Sequence, residues 1–80
     1  MVHKFQNIYG TMYVVQQSQD FKNEIEKLFT EIKIEKNYPF NKIFLKIPIF
    51  LYNVISIELE KYNIKIKNFQ KVKDMILVEI

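Results

Sequence analysis

The sequence predicts a small α+β domain in which two helices pack on one face of a β-sheet. Its 80 residues are enough for one domain, residues 1–80, and no more. Apolar residues recur at helical spacing in two separate stretches, and segments of alternating or continuous apolar character flank both of them. The predicted order is β-α-β-α-β-β, which favours a two-layer sandwich built on a mixed or antiparallel sheet.

A strand and the clearest helix are predicted in the first half of the chain. Residues 5–17 are predicted to form strand, with alternation over residues 12–15. Gly10 indicates a bulge or a tight turn, so one bent strand and two short strands both remain open. Asp20 is a helix-capping residue type, and Pro39 disfavours helix at the residue before it. The helix between them has the apolar face Phe21, Ile25, Leu28, Phe29 and Ile32, and the glutamates expected in solvent are Glu24, Glu26, Glu31 and Glu35.

A second strand ends at Pro48, which has no N–H for ladder pairing. Two structures compete for residues 49–62. A helix would place its apolar residues on one face for about three turns and would end at Asn63, a residue that tolerates positive φ. A hairpin is the alternative, because part of the same stretch also alternates. We favour the helix, whose apolar face would be Leu51, Ile55, Leu59 and Tyr62, after a strand at residues 43–47.

Two further strands are predicted in the last quarter of the chain. Residues 64–67 alternate between Ile and Lys, as a half-buried strand does. Residues 68–74 are polar and are predicted to form a turn. Residues 75–80 are almost continuously apolar, which is typical of a central strand that is covered on both faces.

If the helices cover the isoleucine side of this sheet, the other side carries lysines around an aromatic ring. Lysines neutralise phosphates and aromatic rings stack on bases, although outward lysines also simply solubilise a sheet and deter edge pairing. Aromatic residues make up 15% of the chain, more than one small core is expected to bury, and exposed aromatics indicate a protein interface. The candidate binding residues, for protein or nucleic acid, are Lys42, Phe44, Lys46, Lys65, Lys67 and Tyr52.

The composition indicates an AT-rich genome. Lys, Asn, Ile, Phe and Tyr are abundant, whereas Ala, Arg, Trp and Cys are absent. The net charge of +3 arises in the last twenty residues, where five lysines face two acids, because the first sixty balance at seven against seven. The use of Lys in place of Arg can follow from this mutational bias alone, without any functional choice. Such coding is typical of a low-GC bacterium or of its phages and plasmids.

Several classes of function are disfavoured. His3 is the single histidine and no cysteine is present, so we expect no metal site, no cofactor and no Ser–His–Asp set. One glycine cannot build a phosphate-binding loop, and we therefore expect no enzyme. No uncharged run is long and apolar enough to span a bilayer, so no membrane partner is expected. A chain this small without disulfides favours the cytoplasm, which is the host cytoplasm if the source is viral.

These observations predict a non-enzymatic protein-binding module. Small size, AT-rich coding and the lack of a catalytic set fit an accessory protein of a phage or mobile element that inhibits a host defence system, as anti-CRISPR proteins do. Its partner would be a host protein or a protein–nucleic-acid complex. The alternative is a nucleic-acid-binding protein that uses the lysine and aromatic face. A homodimer joined through an exposed edge strand is a third interpretation.

Overall fold

Five strands, one 3-10 turn and two helices make up the described chain. The computed structural model describes residues 2–38 and 40–80. The elements are β1 (Val2–Asn7), β2 (Gly10–Val15), α1 (Phe21–Glu35), β3 (Ile43–Pro48), a 3-10 turn (Ile49–Leu51), α2 (Tyr52–Lys61), β4 (Asn68–Val72) and β5 (Met75–Glu79).

The first predicted strand is a hairpin of β1 and β2, which decides between one bent strand and two short ones. The chain turns at Ile8 and Tyr9, and the Tyr9 N–H donates to the Asn7 side-chain oxygen at 2.8 Å. Gly10 follows with a φ of 140°, and a Cβ atom there would collide with the Lys42 carbonyl oxygen. Glycine is therefore required at this position, because β2 passes close to the residues that lead into β3.

The sheet is mixed and has the strand order β1-β2-β3-β5-β4. Strands β2 and β3 pair in parallel, and the other three pairs are antiparallel. Strand β5, the most apolar of the five, lies between β3 and β4, while β1 and β4 form the edges. The predicted small α+β fold with a two-layer arrangement is confirmed.

Both helices bury their apolar faces against one side of the sheet. Every second residue of β2 and β3 is buried on that side. The rings of Phe29 and Tyr62 join the two helices, with centroids 5.1 Å apart. The helix expected after Pro48 is confirmed, and the hairpin alternative is wrong. The core consists of Tyr13, Val15, Ile25, Leu28, Phe29, Ile32, Ile43, Leu45, Ile47, Leu51, Ile55, Leu59, Ile64, Val78 and Ile80.

Helix α2 ends in a Schellman motif built on Asn63. The φ of Asn63 is 62°, in the left-handed region that Asn tolerates. The Ile64 N–H donates to the Leu59 carbonyl at 2.9 Å, and the Asn63 N–H donates to the Glu60 carbonyl at 3.0 Å. Asn63 is thus the helix stop that its residue type predicts.

The strand predicted for residues 64–67 is wrong in position. After the left-handed turn at Asn63, Ile64 enters the core and Ile66 packs against it, so neither joins the sheet. Strand β4 lies in the following segment, which was expected to be a polar turn. The turn itself shrinks to Lys73 and Asp74, with a φ of 58° at Lys73. The alternation of Ile and Lys therefore reflects a loop packed on the core.

Helix α1 has 15 residues and α2 has 10. Helix α1 begins after Asp20, whose side chain makes no capping hydrogen bond, and it ends at Glu35. The part that Pro39 was expected to play in ending it lies outside the described residues. Within the described residues, no helix has the length and apolar character needed to cross a membrane.

Candidate protein-binding face

The side of the sheet turned away from the helices is left uncovered by the described part of the chain. Side chains alternate along a strand, so the residues between the buried ones of β2 and β3 point to this side, and the strand pairings extend it to the other strands. We call it the open face. It consists of His3, Phe5 and Asn7 of β1, Gly10, Met12 and Val14 of β2, Phe44, Lys46 and Pro48 of β3, Met75, Leu77 and Glu79 of β5, and Asn68, Gln70 and Val72 of β4.

Apolar side chains form a band across the open face. Phe5 pairs with Met12 and Met12 pairs with Phe44, which gives a row across three strands. In the adjacent row, Val14 of β2 and Leu77 of β5 lie on either side of Lys46 on β3. Phe5 is 55% exposed, and the other four apolar residues are half-buried. The described chain does not cover this apolar surface.

Strand β5 lies inside the sheet as predicted, but it is covered on one face only. Ile76 and Val78 face the helices, whereas Met75 and Leu77 lie on the open face and are half-exposed. The expectation of cover on both faces is therefore wrong for the isolated chain. A strand with apolar residues on both sides is typical of a sheet that has a layer on each side. The open face lacks the second layer to which the sequence of β5 is suited.

The open face carries one lysine and one glutamate, Lys46 on β3 and Glu79 on β5. Phe44 pairs with Glu79 and Lys46 pairs with Leu77, so the two charged residues are diagonal neighbours on adjacent strands. Within the described residues, neither side chain takes part in an ion pair. The open face is therefore an apolar band with two opposite and unpaired charges.

The six predicted binding residues lie in two places. Three lie on or directly before β3, on the open-face side of its alternation. Of the other three, two lie in the loop between α2 and β4, and the third is the first residue of α2, where it helps to line a groove beside that helix. They do not form one platform, because residues 64–67 are not a strand. The first three are Lys42, Phe44 and Lys46, and the other three are Tyr52, Lys65 and Lys67.

Sequence reasoning missed most of the open face. Part of the signal was present in two places, because residues 12–15 are predicted as strand and residues 75–78 are continuously apolar. Tyr52 lies on the helix side, where its ring centroid is 6.4 Å from that of Phe69. The expectation that the aromatic residues exceed what the core buries is confirmed. The exposed ones are Phe5, Tyr9, Tyr38, Phe40, Phe50 and Phe69.

One glutamate expected in solvent is buried. Glu35, at the end of α1, is 9% exposed and accepts hydrogen bonds from Lys4 Nζ at 2.6 Å and from Asn41 Nδ2 at 2.7 Å. Asn41 Nδ2 also donates to Thr11 Oγ1 at 3.0 Å. The expectation for Glu35 is wrong because the last turn of α1 meets the β1–β2 hairpin and the loop before β3. This polar cluster ties three segments of the chain together.

The ion pair with Lys4 favours the charged forms of both partners. The hydrogen bond from Lys4 lowers the pKa of Glu35, although burial opposes that shift. The same bond raises the pKa of Lys4. Burial raises the pKa of the Tyr13 hydroxyl. The ring of Tyr13 has its centroid 5.8 Å from Lys4 Nζ. The ion pair between Lys4 on β1 and Glu35 on α1 therefore joins the β1–β2 hairpin to the helix.

Comparisons of the chain with protein-family models, with curated proteins and with solved structures find no match. Across residues 2–38 and 40–80, no three His, Asp or Glu side chains come together as a metal site requires.

Proposed function

We propose that the chain is a non-enzymatic protein-binding module and that the open face is its docking surface. The observation that carries this proposal is the apolar band from Phe5 through Met12 to Phe44, flanked by Val14 and Leu77 and uncovered by the described chain. Aromatic residues and Met are enriched at protein interfaces, and the cores of interfaces are depleted of charge. The apolar band at the centre of the open face has that composition.

A protein suits the open face better than nucleic acid does. Nucleic-acid sites depend on clustered cations that neutralise phosphates. The open face bears Lys46 on its strands, with Lys42 directly before β3, and Glu79 offsets part of that charge. Lys65 lines the groove beside α2 and is thereby separated from the open face. Nucleic acid remains the alternative ligand, and the experiment below distinguishes the two.

The partner that we propose is a host protein or a host protein–nucleic-acid complex, in the host cytoplasm. Support comes from the AT-rich composition and small size, which fit an accessory protein of a phage or mobile element. A module of this size would act by covering a working surface of a larger host machine, for instance of a defence system. The composition supports the origin, and the open face supports the mode of action.

The test compares capture of partners from a low-GC bacterial lysate by the wild-type chain and by matched Phe→Ser variants. Phe44→Ser alters the centre of the open face. Phe50→Ser is the control, because Phe50 is 69% exposed and precedes α2, outside the open face. We expect Phe44→Ser to weaken capture of a specific protein at least about tenfold, as loss of an aromatic anchor does. Phe50→Ser should leave capture unchanged.

Salt and nuclease separate the ligand classes. A protein partner should survive nuclease and moderate salt, because apolar contacts carry the binding. Partners that disappear on nuclease treatment, or affinity that falls steeply with salt, would replace the proposal with nucleic-acid binding. Equal loss in Phe44→Ser and Phe50→Ser would show that the open face is not the docking surface. Circular dichroism confirms that each variant is folded.

A further inference from the structure

We propose that a second copy of the chain covers the open face in the free protein, with the two sheets packed face to face about a two-fold axis. The inference rests on the proposed function in one respect, since both use the open face as a protein-binding surface. It goes further by naming the occupant. The partner of the resting chain is the chain itself, and a host protein would have to displace it.

The sequence of β5 supports a second sheet as the missing layer. Ile76 and Val78 lie on the helix side, where Val78 is buried and Ile76 packs against the core, while Met75 and Leu77 lie on the open face and are only half-buried. Two sheets that pack face to face bury the inner side chains of both in a core about 10 Å thick. A second copy supplies an identical apolar band, so each copy would cover the open face of the other.

The charges of the open face are complementary to themselves. In a two-fold interface, if residue i of one copy contacts residue j of the other, then j also contacts i. Lys46 and Glu79 are a pair of opposite charges that are close on one face yet unpaired within the described chain. Burying either charge alone in an apolar interface is unfavourable. In the dimer, Lys46 of each copy meets Glu79 of the other, and both charges are paired.

The lysine-bearing edge strand β4 suits self-association less well than the open face does. Strand β4 is fully exposed, carries Lys71 and is flanked by Lys67 and Lys73. Pairing two β4 strands would bring these lysines together, and charged edge residues of this kind oppose edge-to-edge pairing. A homodimer paired through β4 is therefore less favourable than one in which two copies meet through the open face.

The test uses charge reversal at the two complementary positions. Lys46→Glu gives a face with two negative charges, and Glu79→Lys gives a face with two positive charges. In a homodimer of either variant, like charges would face each other and oppose association. Each variant alone should therefore sediment near the monomer mass of 9.8 kDa, while the wild type sediments near twice that mass. We expect at least about a tenfold higher dimer dissociation constant for each variant alone.

An equimolar mixture of the two variants restores both contacts. The carboxylate introduced by Lys46→Glu in one chain would meet the ammonium introduced by Glu79→Lys in the other. The unchanged Glu79 of the first chain would meet the unchanged Lys46 of the second, so the mixture should sediment as a dimer. Recovery on mixing also shows that neither variant is simply misfolded. Lys71→Glu on β4 is the matched control and should remain dimeric.

Three results would overturn the inference. These are a monomeric wild type at all concentrations, a mixture that stays monomeric, and a dimer lost in Lys71→Glu but kept in Lys46→Glu. Failure of the dimer and failure of the proposed function have different signatures. A monomeric chain that still captures a host protein through Phe44 removes the dimer alone. A dimer rescued by mixing that captures no host protein removes the host partner alone.

Discussion

Glu35 shows how one buried carboxylate joins segments that are far apart in the chain. Replacing it by Gln keeps the shape but removes the charge that Lys4 and Asn41 bind at 2.6 and 2.7 Å. We expect Glu35→Gln to lower the free energy of unfolding at neutral pH by about 1–2 kcal/mol, toward the lower end for charged hydrogen bonds because the Lys4 side chain is 38% exposed. Urea unfolding measures this loss. Glu26→Gln, at an exposed position on the same helix, is the control.

The pH dependence of the same variant identifies the cause. The pKa of Glu35 is lowered in the folded state, so its stabilising effect is present above the ordinary carboxyl pKa and is lost as pH falls through the lowered value. The difference between wild type and Glu35→Gln should therefore shrink on acidification. A difference that is constant with pH would mean that packing, and not charge, is responsible.

At the scale of elements, the Schellman motif decides where α2 stops and where the core residue Ile64 enters. In Asn63→Ala the backbone keeps a φ of 62°, but the side chain can no longer form the local hydrogen bonds that let Asn tolerate this conformation. We expect it to lower the free energy of unfolding by about 1 kcal/mol. Asn63→Gly should be neutral or slightly stabilising, because glycine adopts this conformation without strain. Chemical denaturation of both variants provides the measurement, and an equal loss in both would contradict the role assigned to the backbone.

The helices were predictable from sequence because their apolar faces hold for several turns, as from Ile25 to Ile32, and because Asn63 marks a stop. The strand expected at residues 64–67 was not, because a loop that packs alternate residues on a core has the same period as a strand. Only the left-handed turn at Asn63, just before this segment, distinguishes such a loop from a strand. The buried position of Glu35 could not be predicted either, since Lys4 and Asn41 reach it through contacts that no local pattern records. The open face could be predicted in part through its residues on β3.

At the scale of the whole molecule, the helices cover only one side of the sheet. The stability of the chain is then linked to whatever covers the open face. If the sheets pair through the open face, unfolding is linked to dissociation, and the apparent melting temperature depends on concentration. We expect it to rise by about 2–5 °C for each tenfold increase in wild-type concentration, given the size of the domain. Lys46→Glu should melt at a temperature independent of concentration. Differential scanning calorimetry makes the comparison, and a wild-type melting temperature that does not change would argue against linkage.

The position of β3 has a consequence for how the chain reaches its fold. Both neighbours of β3 in the sheet, β2 and β5, are separated from it along the chain by a helix, while the β1–β2 and β4–β5 pairs are local hairpins. The hairpins can form early, but they can only be joined once β3 closes two long loops, and non-local closure of this kind slows folding. During synthesis, the sheet cannot be completed until β5, the last strand, has left the ribosome. Until then the apolar residues of β3 have no strand on one side, and the nascent chain is most exposed to aggregation in that interval.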